Sequence, residues 1–142
     1  MLVRLRCILP ALWAGLLICI AALAAPAAFG TLMAADAGRV VGHIFVREAW
    51  LSLLLAALSL ELERSSGAPG RLNPMLLWGT VGCTLAGYFA IQPLMPAARA
   101  GQGVLSFGQL HLISTLFYGL KTVLVLALAW RVAGEISRPP SS

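Results

Sequence analysis

His111, Ser114, Thr115, Tyr118 and Thr122 lie on the last apolar run of this chain, at spacings of three and four. At about 100° per residue they fall within one sector of roughly 100° on a helix. Lys121 sits at the edge of that sector. A lysine at the centre of a membrane helix costs about 2.5–3.5 kcal/mol to insert, and such residues turn toward protein or a water-filled cavity. Two readings are open for the cluster His111, Ser114, Tyr118 and Lys121. It can fix packing through interhelical hydrogen bonds, or it can line a polar cavity or permeation path. No acidic residue is expected at the depth of Lys121, which leaves Gln92 and Tyr118 as its polar contacts, or a bound anion.

A second polar group, Arg39, His43, Arg47 and Glu48, opens the second apolar run. It is expected at the outer rim of the membrane, with Arg47 and Glu48 near the headgroups or turned into the bundle. The two are adjacent and point about 100° apart, so they need not pair with each other. His43 and His111 fall near the same rim and are the candidate metal or haem ligands. Zinc usually takes four ligands, whereas a bis-histidine haem needs two. Cys7, Cys19 and Cys83 form no CxxC pair and read as small buried hydrophobes. A Walker-type glycine loop, HExxH, GxSxG and paired carboxylates within an apolar run are all missing from the sequence, so the chain is not expected to be an enzyme. No cofactor is assigned.

The elements that must position these groups follow from composition. Of 142 residues, 60% are hydrophobic and 11% charged. Soluble domains carry about 25% charged residues. A chain this short also has a high surface-to-volume ratio and needs polar surface on every side. Lipid must therefore solvate much of this chain, and the fold expected is an all-α, four-helix membrane bundle forming a single domain. The net charge of +5 does not indicate nucleic acid, because the arginines sit at the ends of apolar runs.

Four runs are long enough for the roughly 20 helical residues that a bilayer core requires. They give helices over about 8–33, 37–63, 74–97 and 104–132, with a disordered tail over 136–142. A cleaved signal peptide is the rival reading of the first run, with Ala22-Leu23-Ala24 as the cleavage site. The apolar stretch continues beyond that site, which favours an uncleaved helix. Asn73-Pro74 is expected to open the third helix, Asn73 as its N-cap. Small residues at spacing four (Gly79, Cys83 and Gly87; Ala21 and Ala25; Ala24 and Ala28) would let helices approach closely, within the chain, in a homo-oligomer or against a membrane partner protein. Arg4, Arg6, Arg64, Arg71, Arg131 and Arg138 lie on one side of the membrane, and Arg39, Arg47 and Arg99 on the other. Six against three places both termini in the cytoplasm.

Three stretches resemble a known family: Ala25-Pro26-Ala27-Ala28-Phe29, Ala37 to Phe45, and Phe107 to Ser114. With four helices at these spacings, the chain is similar to the bacterial family of domain of unknown function 4149, related to eukaryotic transmembrane protein 205. The resemblance runs from about Leu12 to Val132. It implies a four-helix protein of the bacterial inner membrane, and family-like positions at Ala37, Gly38, Gly42, Phe45, Phe107, His111 and Ser114. Leu112 stands where family members often have glycine, and His43 is not a family-typical position, which counts against a two-histidine haem. The eukaryotic relatives are associated with tolerance of platinum drugs, which hints at metal or drug handling. Three functions follow as expectations: a small transport, permeation or drug-tolerance module, a non-catalytic membrane scaffold or subunit, and a haem- or copper-binding redox protein.

Overall fold

The structure is a computed structural model that describes residues 2–67 and 71–136. It is all-helical, with no strand among the described residues. Four helices are long and apolar enough to cross a membrane: α1 Leu2–Thr31, α2 Ala34–Ser65, α3 Leu72–Arg99 and α4 Phe107–Ile136. They run alternately up and down, each packed beside the next and α4 beside α1. The α1–α4 and α2–α3 neighbours close the ring, so α2 and α4 face each other across its diagonal. Leu12, Leu54, Leu116 and Val123 are more than half exposed. Such a surface suits hydrocarbon, and the chain is an integral membrane protein.

The helix boundaries have local causes. Met33 precedes α2, and Asp36 in its first turn suits the positive end of the helix dipole, as Arg64 in its last turn suits the negative end. Gly67 adopts φ +60° just beyond the helix, a left-handed conformation that glycine takes without a Cβ clash. The start of α4 lies at Phe107, later than the expected 104. Ser106 and Gln109 form a capping box: the Ser106 N–H donates to Gln109 Oε1 at 2.9 Å, and the Gln109 N–H to Ser106 Oγ at 3.3 Å. Asn73 is not the N-cap of α3. The helix already begins at Leu72, and Asn73 is buried, its side chain turned to the other helices. Of the tail expected over 136–142, Ile136 ends α4 and the remainder lies outside the described residues.

Two helices carry a π-turn, Ile20–Ala24 in α1 and Leu85–Ala90 in α3. Each precedes proline: Pro26 in α1, Pro93 and Pro96 in α3. A proline removes an N–H and clashes with the carbonyl four residues back, and a wider turn relieves that clash. Both distortions fall in the half of the bundle remote from the termini.

The apolar core differs between the two halves. Toward the termini one cluster joins all four helices: Trp13, Ala14 and Leu17 with Ala56, Leu77, Val125, Leu128 and Val132. In the opposite half the core splits. Ala28 packs with Ala37 and Val41 between α1 and α2. Ile91, Met95 and Ala98 pack with Leu110 between α3 and α4. The bundle is therefore one four-helix core at one end and two helical hairpins at the other.

The α3–α4 contact explains the small-residue stripe. A Cβ on Gly87 would lie 2.5 Å from Phe117 Cβ, and one on Gly79 would lie 3.2 Å from Leu124 Cδ1. These glycines serve packing inside the chain.

Candidate functional site

Lys121 and Glu48 meet across the diagonal of the ring, where the single core gives way to the two hairpins. Lys121 Nζ donates to both Glu48 oxygens, at 2.7 and 2.9 Å. Both residues are buried, 3% and 4% exposed. This corrects the expectation that no acidic residue shares the depth of Lys121. It also removes Glu48 from the rim group. Glu48 lies on the same face of α2 as Ala37, Val41 and Ser52, all buried, whereas Arg47, one residue earlier, points outside the bundle.

Other helices support the pair. Ser52 donates to Glu48 from one turn further along α2, and Trp13 Nε1 of α1 donates to Ser52 Oγ at 3.0 Å. The Tyr118 ring lies 4.8 Å from Lys121 Nζ, a cation–π distance. The Tyr118 hydroxyl donates to the Leu17 carbonyl of α1 at 2.9 Å, and Phe45 of α2 meets its ring edge-on. The carbonyl of Leu17 is thus bonded from outside its helix, in the turn that precedes the π-turn of α1. Two charges in hydrocarbon are tolerated here because each is paired and hydrogen-bonded.

The rest of the α4 stripe does not converge on this pair. Ser114 donates to the Gly87 carbonyl at 2.9 Å, at the closest approach of α3 and α4. That carbonyl lies in the π-turn of α3. Thr115 and Thr122 bond the carbonyls of their own helix four residues back. His111 is exposed and stacks on Phe107, which in turn receives the Arg99 guanidinium 4.6 Å above its ring. His43 is exposed on α2. No ring contact or hydrogen bond joins His43 to His111 among the described residues, and no group of three or more His, Cys, Asp or Glu there is placed to hold a metal. Gln92, a candidate contact of Lys121, lies in the 3-10 turn of α3. At the rim, Arg39 pairs with Asp36.

A second polar cluster, which the sequence reading missed, ties together the end that holds the termini. Arg6 of α1 grips Glu63 of α2 with two hydrogen bonds of 2.9 Å and reaches Glu135 of α4 at 3.0 Å. Asn73 of α3 donates to Glu63 at 3.2 Å and Glu135 at 3.1 Å, and accepts from Arg131 at 3.1 Å. One residue or more from every helix meets here. Arg6 is only 8% exposed. The two-pronged Arg6–Glu63 contact matches the fork of a guanidinium to a carboxylate.

The two clusters are related by depth. α2 and α4 run in the same direction. Glu48 precedes Glu63 by 15 residues and Lys121 precedes Glu135 by 14. At 1.5 Å per residue both charges lie roughly 21–23 Å along the bundle from the terminal cluster, which is less than the roughly 30 Å thickness of a hydrocarbon core.

Comparison with curated proteins and with solved structures found no match. A family model does match, over residues 8–103, which takes in α1, α2 and α3 with Glu48 and Glu63 and stops before α4. The chain therefore belongs to the family described as domain of unknown function DUF4149.

Proposed function

We propose that this protein is a non-catalytic transport or permeation module for a small solute, held closed by the Glu48–Lys121 pair. The supporting observation is the position of the pair, at the junction between a four-helix core and two helical hairpins whose buried apolar residues form separate clusters. Burying an ion pair contributes little net stability compared with apolar packing, because desolvation offsets the attraction. A charge pair at such a junction instead offers two states, paired and separated, that parting of the hairpins would exchange. The π-turns and prolines of α1 and α3 lie in the half that would move.

The same reading puts the protein in a bacterial inner membrane with both termini in the cytoplasm. Among the described residues Arg4, Arg6, Arg64, Arg71 and Arg131 lie at the terminal end, and Arg39, Arg47 and Arg99 at the other.

The test uses purified protein in liposomes, with glycerol swelling and a trapped proton-sensitive dye as probes. The wild type is expected to be tight and Glu48→Gln/Lys121→Met to leak. Variant and wild-type vesicles that are both as tight as protein-free vesicles, with the variant folded, would remove the gate.

A second reading, a membrane scaffold or subunit, is favoured by the α4 stripe. Ser114, Thr115, Tyr118 and Thr122 all spend their hydroxyls on bonds within the chain. It predicts a partner retained through gentle detergent extraction.

A further inference from the structure

Arg47 is a cation left over. Among the described residues every carboxylate is already engaged: Asp36 with Arg39, Glu48 with Lys121, Glu61 with Arg64, and Glu63 and Glu135 with Arg6. Arg47 faces away from the core beside His43, and the two line a shallow concavity of about 400 Å³ with Val40 and Ile44. These four positions, i, i+3, i+4 and i+7, form one face of α2.

Depth fixes what can reach that face. Arg47 precedes Glu63 by 16 residues, so with the terminal cluster at one edge of a hydrocarbon core about 30 Å thick its Cα lies roughly 24 Å in and about 6 Å short of the far edge. Side chains on a helix lean toward its N-terminus. From Arg47 toward its N-terminus α2 runs through that far edge and beyond it to Ala34, so a side chain leaning that way along His43 and Ile44 carries its guanidinium toward headgroup level. Lipid phosphates lie at that level, and the carboxylates among the described residues are engaged with other cations. Deeper along the same side of α2, Leu51 and Leu54 are exposed and provide apolar surface for an acyl chain.

We propose that the Val40–His43–Ile44–Arg47 face of α2 is a binding site for the phosphate of an anionic phospholipid. Arg47 donates a forked pair of hydrogen bonds to the phosphate oxygens, and His43 donates one more from the turn above. A zwitterionic headgroup brings its own cation to the site and loses the net attraction.

Native mass spectrometry of the full chain in detergent tests this, titrated with phosphatidylglycerol, with phosphatidylcholine and with inorganic phosphate. The wild type is expected to retain one phosphatidylglycerol in preference to phosphatidylcholine. Arg47→Gln should weaken that retention about tenfold, the loss of one charge-assisted contact. Arg64→Gln, a cation elsewhere on the same helix, should leave it unchanged. Equal retention by Arg47→Gln and wild type would overturn the site, as would equal losses in Arg47→Gln and Arg64→Gln. Displacement of the lipid by millimolar inorganic phosphate would reassign the site to free phosphate and overturn the lipid. Both arginines are exposed, so neither variant removes a core contact.

Discussion

Removing one member of the Glu48–Lys121 pair should cost far more than removing both. At 2.7 and 2.9 Å, and with an effective dielectric near 20, the attraction is roughly 6 kcal/mol before desolvation is counted. Desolvation of the two ions takes back several kcal/mol each, so the net contribution of the intact pair is small. Lys121→Met leaves Glu48 charged, 4% exposed and supported by Ser52 alone. Such a stranded charge costs about 3–5 kcal/mol. Glu48→Gln strands Lys121 with the Tyr118 ring and an amide, and a similar loss is expected. In the double variant the introduced amide would keep the Ser52 hydroxyl as a partner, and the introduced thioether chain would fill the space of the lysine stem. The total loss should therefore stay near that of one single variant or below it. The coupling energy from the four-member cycle is then about 3 kcal/mol or more. Reversible unfolding of each protein in mixed micelles, followed by the far-ultraviolet helical signal, gives the four free energies. Additive single losses, with coupling under about 0.5 kcal/mol, would refute the buried pair.

Gly87→Ala should destabilise by about 1–3 kcal/mol, because the new methyl group would sit 2.5 Å from Phe117 Cβ and the helices must part. Gly82→Ala, where no atom lies within 4 Å, is the control, and the same unfolding assay should find it neutral or slightly stabilised. Arg6→Ala should loosen the terminal end, since Glu63 and Glu135 lose their shared cation. Hydrogen exchange should then rise near Asn73 and Glu135 before it rises near Lys121, and uniform exchange would argue against a local clasp. Cysteines placed at Ser65 and Gln102 should react with an impermeant maleimide from opposite sides of the membrane, Gln102→Cys in intact cells and Ser65→Cys after permeabilisation. The reverse pattern would invert the orientation.

Membrane class and helix number were legible because they depend on composition and length. Hydrocarbon selects for about 20 apolar residues in a row, whatever their neighbours. The capping box of α4, Ser106-x-x-Gln109, is a local signal that an expected start at 104 passed over. The family likeness was also readable, and the family model bears it out over residues 8–103.

Pairing was not legible in the same way. Arg47 and Glu48 are neighbours of opposite fate, and only the packing of α2 against α1 and α3, which turns one face of α2 toward α4 across the ring, decides which of the two faces inward. The depth signal existed, since 15 residues separate Glu48 from Glu63 and 14 separate Lys121 from Glu135. It becomes usable only when Glu63 and Glu135 are known to share Arg6, which is a contact between residues 57 and 129 apart. Asn73 shows the same limit: its local preference for a helix cap yields to three tertiary hydrogen bonds. Residence in lipid as four helices is written into each segment separately, because solvent and length act on each segment alone. Which charges meet, and where the core divides, was decided by the tertiary structure, because a buried ion needs a partner and that partner lies on another helix.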